Sequence, residues 1–200
     1  MPDAEVYPHH YKMSAYIVLG RWKELEDLRR ATPEAEIDWR WREAVLQTHL
    51  FGGFPRLVEA YGVLEKAGGC GQPGPEELES PQAIPSGSQL FERIYGNHAD
   101  SVKQTLHSYH PDFAAMIEEH AYARVLMREG LSAESRELLS VACLIALDQP
   151  RQLMSHARGA RHCGAEMDQI REVLSSVRSI VGEEAANRAE RVIERVASFG

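Results

Sequence analysis

The stretch from Ser135 to Ile170, SRELLSVACLIALDQPRQLMSHARGARHCGAEMDQI, constrains this chain more than any other. Its first part, from about Ser132 to Leu147, places Leu138, Leu139, Val141, Ala142, Leu144, Ile145 and Ala146 on nearly every face of a helix. A helix that is apolar all round is a buried helix. Glu137 nevertheless sits near its start, in line with Val141 and Leu144 at four- and seven-residue spacing. Asp148-Gln149-Pro150 then ends the helix, because proline cannot continue one and biases its predecessor away from helical geometry. A second helix follows and carries His156. A carboxylate and an imidazole on adjacent buried helices form a proton-transfer pair.

Glu137 has two readings. In one it is a first-turn acid that favours the helix dipole and pairs with Arg136 or another arginine. In the other it is buried among apolar groups, where desolvation suits it to carry a proton. His156 is either a structural histidine or the natural shuttle, since imidazole titrates near neutrality. Along an ideal hairpin the two are offset: Glu137 lies about 11 residues before the turn and His156 about 6 after it, roughly 8 Å apart in rise. Contact therefore requires a steep crossing, a bridging water or a substrate between them. Arg151 sits at the turn, with Arg158 and Arg161 beyond it. These arginines are a solvated basic face or a carboxylate clamp, since guanidinium binds carboxylates bidentately.

The remainder reads as helices, with no competing strand pattern. Residues 7 to 31 are helical with a break at Gly20. His9-His10 reads as a solvated helix end rather than a metal pair, because adjacent residues point in different directions. Thr32-Pro33 reads as a helix start, and the next helices carry Trp39, Trp41, Val45, Leu46 and Leu50. His49 is expected to be a satisfied core histidine. Short helices carry Leu90, Phe91, Ile94 and Tyr95, then Val102 and Leu106. Pro111 opens a longer helix to Arg128, with Phe113, Met116, Ile117, Ala121, Val125 and Leu126 inward and Gly130 as its cap. Ser132 caps the central helix, and Glu166 to Val181 and Glu183 to Phe199 close the chain, split at Gly182.

Residues 42 to 64 echo the central stretch. Arg42-Glu43 matches Arg136-Glu137, Pro55 matches Pro150, and Tyr61 then stands where His156 stands. This predicts a degenerate internal duplication of a helix-turn-helix unit. Gly68 to Gly87 is rich in Gly and Pro and reads as a linker. The expected organisation is an N-terminal degenerate repeat at 1–67, a linker at 68–87 and a helical domain at 88–200.

Composition excludes several functions. A formal net charge of −8 opposes nucleic-acid and anionic-membrane binding. No apolar run approaches the ~20 residues that span a bilayer, and the first ten residues have neither a basic leader nor an apolar signal core. Cys70, Cys143 and Cys163 form no close pair and suit a reducing compartment, so a cytoplasmic location is expected.

His156, Ala160, Gly164, Ala165, Asp168 and Ile170 reproduce a His-x-x-x-Ala-x-x-x-Gly-x-x-x-(acidic)-x-Ile pattern. With the upstream runs Arg128-Glu129-Gly130-Leu131 and Ser135-Arg136-Glu137-Leu138-Leu139, the chain resembles the carboxymuconolactone decarboxylase family over roughly residues 90 to 182. LQTHLFGGFPR, from Leu46 to Arg56, also looks like family sequence. The resemblance implies an all-α, alkylhydroperoxidase D-like helical bundle, assembly into homo-oligomers and catalysis without a cofactor or metal. The redox branch of that family carries a Glu, then Cys-x-x-Cys, then a His. Here Glu137 and His156 keep its spacing, but Gln149 and Gln152 stand at the cysteine positions. Glutamine supplies neither nucleophilic nor resolving thiol, so a peroxidase reading comes third. The namesake reaction removes CO2 from a carboxylated lactone, which requires holding a carboxylate, stabilising an enolate and protonating carbon. Glu137 and His156 fit the proton transfer, Arg151 the carboxylate, and Gln149 and Gln152 an oxyanion or carbonyl. The expected function is decarboxylase- or lactone-type proton transfer on a small anionic molecule. The alternative is a non-catalytic oligomeric helical protein of the same fold.

Overall fold

The computed structural model describes residues 5–72 and 84–198. Every regular element among them is helical. The N-terminal half holds α1 (Pro8–Leu19), α2 (Trp22–Ala31), α3 (Trp39–Gln47) and α4 (His49–Lys66). The C-terminal half holds α5 (Ile84–Tyr95), α6 (Ala99–Tyr109), α7 (Pro111–Met116), a π-helical stretch (Ile117–Leu126), α8 (Ala133–Ala146), α9 (Pro150–Cys163), α10 (Met167–Val181) and α11 (Glu183–Ala197).

Helix α8 is the axis of the core. Every residue from Ser135 to Ala146 is buried, as its all-round apolar sequence requires. Ser132 caps it, its hydroxyl accepting from the Ser135 amide at 3.1 Å. The Glu5 carboxylate accepts from the Ser132 amide at 2.8 Å and from the Ser135 hydroxyl at 2.9 Å, tying the N-terminal segment to this cap. Helices α9, α1 and α10 pack around α8, so both halves of the chain share one apolar core. A second, smaller cluster gathers Leu90, Phe91 and Ile94 of α5 with Tyr122, Leu126 and Cys163.

Several local expectations need correction. The Thr32 hydroxyl donates back to the Leu28 carbonyl at 2.8 Å, so it closes α2. Asp38 is the residue that caps α3, accepting from the Arg40 amide at 2.8 Å. His10 is 1% exposed, not a solvated end. Its Nδ1 accepts from the Tyr7 amide, and it packs with His9 against Trp41. The helix opened by Pro111 turns π-helical at Ile117, and Phe113 and Met116 point outward, 46% and 65% exposed. A π-helix bonds i to i+5 and rotates the apolar stripe, which brings Tyr122 inward. The same helix ends at Leu126, so Gly130 lies beyond its cap. Helix α5 begins at Ile84, inside the stretch read as linker, and residues 73–83 of that stretch lie outside the described residues. Phe199 likewise lies outside them. The Gly68 carbonyl accepts from Arg29 at 2.8 Å, which fastens the loop's start to α2.

Candidate active site

Helices α8 and α9 are joined by Leu147, Asp148 and Gln149, with Pro150 as the first residue of α9. This hairpin brings Glu137 and His156 into direct contact: His156 Nδ1 lies 2.9 Å from Glu137 Oε2. Glu137 is fully buried at 1% side-chain exposure, and the imidazole edge is 14% exposed. A carboxylate is an obligate acceptor, so Nδ1–H is the donor and Nε2 is the nitrogen left over for other work. Burial alone pulls the His156 pKa down, but the Glu137 charge and hydrogen bond outweigh it, and the net direction is upward.

The offset expected along the hairpin is overcome at Gly159. This glycine is three residues past His156 and nearly level with Glu137. A Cβ there would stand 2.6 Å from Glu137 Oε2 and 2.8 Å from Ile94 Cγ2. The missing side chain leaves the carboxylate room to lie against α9 and reach the imidazole without a bridging water. Ile94 of α5 closes the opposite side, and Phe51 packs edge-on against His156 with ring centroids 6.1 Å apart. Helix α5 is held there by two backbone contacts with α9: Arg93 donates to the Cys163 carbonyl at 3.1 Å, and His162 Nδ1 meets the Ile94 carbonyl at 2.8 Å.

Arg136, the neighbour expected to pair with Glu137, serves a different network. Consecutive helix residues diverge by about 100°, and Arg136 turns to Glu43 at 2.8 Å. It also donates to the Arg128 and Glu129 carbonyls and to Gln47 Oε1. Arg128 grips the same Glu43 carboxylate with two nitrogens, at 2.9 and 2.6 Å. Burial raises the Glu43 pKa, but the two guanidiniums prevail and hold it below the ordinary carboxylate value. Glu43 is thus an ion-pair acid, and Tyr61, its sequence counterpart of His156, is 36% exposed.

Around the Glu137 carboxylate stand Tyr95, Tyr122 and Cys163, each of whose pKa values it pushes upward. For all three the first cause is burial, and Tyr122 hydrogen-bonds Tyr95. The Cys163 thiol is pushed up to about 11, and burial drives Cys143 higher still, so both are protonated at neutral pH. Glu137 Oε1 is buried without a hydrogen-bond partner among the described residues.

The expected substrate-binding residues lie elsewhere on the hairpin. Gln149, Arg151 and Gln152 are exposed at the start of α9. Gln152 and Gln149 precede His156 by one and two helical turns on its face, whereas Arg151 lies off that face. The Gln149 amide nitrogen donates to the Leu147 carbonyl at 3.1 Å. Sequence reasoning missed Gly159, Ile94, Phe51, Tyr95 and Tyr122. For Gly159 there was a signal: glycine inside a helix costs about 1 kcal/mol against alanine and marks a close approach. The others came from distant segments with no such mark. His49 is 8% exposed as expected, and its Nε2 lies 2.8 Å from His120 Nε2.

The class these features define is an all-helical protein with a buried carboxylate–imidazole pair set into one helical hairpin. Residues 111–195 match the Carboxymuconolactone decarboxylase family. Through this segment the chain is similar to that family, and the all-helical arrangement of the described residues is consistent with its alkylhydroperoxidase D-like fold. It is similar to a 4-carboxymuconolactone decarboxylase of Acinetobacter baylyi, with 26% identity over 120 residues, covering 60% of this chain and 90% of that protein. It is also similar to Peroxisomal protein 2 of Schizosaccharomyces pombe, with 29% identity over 135 residues, covering 64% of this chain and 62% of that protein.

Proposed function

We propose that this protein catalyses cofactor-free proton transfer, of decarboxylase or lactone type, on a small anionic molecule. The observation that carries the reading is the contact at 2.9 Å between His156 Nδ1 and the buried Glu137 carboxylate. The pair is not a by-product of charge balance on α8, because Arg136 is engaged by Glu43 instead. Glu137 orients the imidazole and stabilises its protonated form, leaving Nε2–H to face the substrate. In a decarboxylation, the carbon–carboxylate bond breaks, CO2 leaves, and its electron pair enters an enolate. His156 Nε2–H then delivers a proton to the carbon, and solvent reprotonates the imidazole. The upward displacement of the His156 pKa keeps the acid form populated near neutrality.

Arg151 is assigned the substrate carboxylate, and Gln149 and Gln152 the developing oxyanion. The similarity to a relative named 4-carboxymuconolactone decarboxylase supports a carboxylated substrate. Among the described residues no helix is long and apolar enough to cross a membrane. A cytoplasmic location and a homo-oligomeric state belong to the same proposal, as do the degenerate repeat at 1–67 and a linker that follows it and ends where α5 begins at Ile84. The name of the Schizosaccharomyces pombe relative makes the peroxisome the second compartment to examine. One observation favours the second reading, a non-catalytic helical protein of this fold: Glu137 is closed in by Ile94 and Gly159.

The test is a screen of small lactones and keto acids with wild type, Glu137→Gln and His156→Gln. Loss of either group should lower the rate by about 10²–10⁴. His156→Gln should remain folded, since glutamine keeps one hydrogen bond. If both variants kept full activity on a turned-over substrate, the pair would be structural. Dithiol-dependent peroxide reduction is not expected, because Gln149 and Gln152 carry no sulfur; turnover lost on Cys143→Ser or Cys163→Ser would reverse that.

A further inference from the structure

We propose that Tyr95 is a positioning residue for the buried pair: its hydroxyl supplies, through one ordered water, a hydrogen bond to Glu137 Oε1. The carboxylate has two oxygens, and His156 engages only Oε2. Oε1 is buried without a partner among the described residues, on a side chain that is 1% exposed. A buried acceptor left unpaired carries its full desolvation cost, so this oxygen calls for a donor. Helix α5 is laid against the carboxylate. Ile94 Cγ2 lies 2.8 Å from where a Gly159 Cβ would stand, and Glu137 Oε2 lies 2.6 Å from the same point. Tyr95 is the next residue of α5, its ring centroid 4.4 Å from that of Phe91 and 6.4 Å from that of Tyr122.

Among the described residues, the titratable groups that face this carboxylate are His156 and Cys163 of α9, Tyr95 of α5 and Tyr122 of the π-helical stretch. Arg136, the adjacent cation on α8, is turned to Glu43, and Arg93 and Glu134 act on the Cys163 thiol. Three of the four facing groups are poor candidates for Oε1. His156 commits Nδ1–H to Oε2. The Tyr122 hydroxyl donates its one hydrogen to the Tyr95 oxygen. The Cys163 thiol is a weak donor. Tyr95 keeps its own hydroxyl hydrogen, and the bond it accepts from Tyr122 restricts where that hydrogen points. Oε1 has no direct hydrogen bond, so one water spans the gap. Such a water needs about two to four polar partners, which Oε1, the Tyr95 hydroxyl and the Cys163 thiol provide. The consequence falls on His156. When the imidazole gives up its proton, the buried Glu137 charge loses the cation beside it. Donation from Tyr95 is the stabilisation that remains, and it eases release of the proton.

For its catalytic consequence this inference rests on the proton-transfer reading of Glu137 and His156, but its test reads the imidazole without turnover. The full chain, carrying 15N-labelled histidine, is titrated by nuclear magnetic resonance, with the His156 signals identified by their loss in His156→Gln. Tyr95→Phe keeps the ring and its packing on Phe91, so its far-ultraviolet circular dichroism should match wild type. Its His156 midpoint should rise by about one pH unit, tenfold in proton affinity. Tyr122→Phe should move the midpoint the same way by a smaller amount, because the Tyr95 hydroxyl then loses its fixed direction. In a Glu137→Gln chain, Tyr95→Phe should move nothing. An unshifted or lowered midpoint in Tyr95→Phe would overturn the proposal. So would a shift of equal size that persists in the Glu137→Gln chain, since Tyr95 would then act through another group. On any substrate turned over, the alkaline limb of the rate profile should shift with the midpoint in Tyr95→Phe. A wild type that turns over nothing, with the Tyr95→Phe midpoint raised, would count against the proton-transfer reading and still uphold the Tyr95 contact.

Discussion

Replacing Gly159 by alanine tests the geometry of the buried pair more sharply than removing either partner. The added Cβ would stand 2.6 Å from Glu137 Oε2 and 2.8 Å from Ile94 Cγ2. Contacts this short force a neighbour to move. Ile94 is 2% exposed and packed in the second apolar cluster, so the carboxylate is the group that yields. Overpacking of this kind costs about 1–3 kcal/mol. Loss of the charge-assisted hydrogen bond to His156 adds about 1.5–3 kcal/mol. Alanine's better helix propensity returns about 1 kcal/mol. We therefore expect Gly159→Ala to destabilise the fold by about 1.5–5 kcal/mol in urea denaturation followed by circular dichroism. His156 should move with it. Once the carboxylate is displaced, burial becomes the dominant influence and the imidazole should titrate below its ordinary value of about 6.5 in a nuclear magnetic resonance titration. A variant as stable as wild type, or stabilised by the helix-propensity gain alone, with an unmoved His156 titration, would refute the argument.

Three other perturbations follow from the same contacts. His156 has a raised pKa in the folded chain, so its stabilisation is complete below about pH 6.5 and is lost as pH climbs through the folded value; Glu137→Gln should abolish that loss, and parallel urea midpoints for the two proteins from neutral to alkaline pH would count against it. His10 behaves oppositely, because burial lowers its pKa to about 3: its contribution is present above about pH 6.5 and drains away as pH falls, so His10→Phe should blunt acid unfolding in a pH titration of circular dichroism. Glu43→Gln leaves Arg136, 1% exposed, without its counter-ion, and should cost about 3–5 kcal/mol in urea denaturation, whereas a loss below 1 kcal/mol would show that Gln47 and the backbone carbonyls suffice.

The central hairpin was legible in the sequence because its signals are local. An all-round apolar run fixes burial of α8, Ser132 fixes where it starts, and Asp148-Gln149-Pro150 fixes where it stops. The spacing of small residues behind His156 carried the family pattern, and the match at residues 111–195 agrees with it. Periodicity failed where a non-local contact overrode local preference. The π-helical stretch after Met116 turned Tyr122 inward and left Phe113 and Met116 outside. His9-His10 looked solvated until Trp41, from another helix, covered it.

What the sequence by itself determined was helix class, the buried hairpin, and the presence of an acid and an imidazole on its two arms. Which acid faces the imidazole, and how closely, was decided by tertiary packing. Arg136 and Glu137 are adjacent on one helix, but only the position of α3 sends Arg136 to Glu43, and only the bare backbone of Gly159 lets Glu137 reach His156. Side-chain identity and spacing give direction around a helix axis. The distance between two axes depends on every residue packed between them, and here one missing Cβ brings the carboxylate within hydrogen-bonding distance of the imidazole.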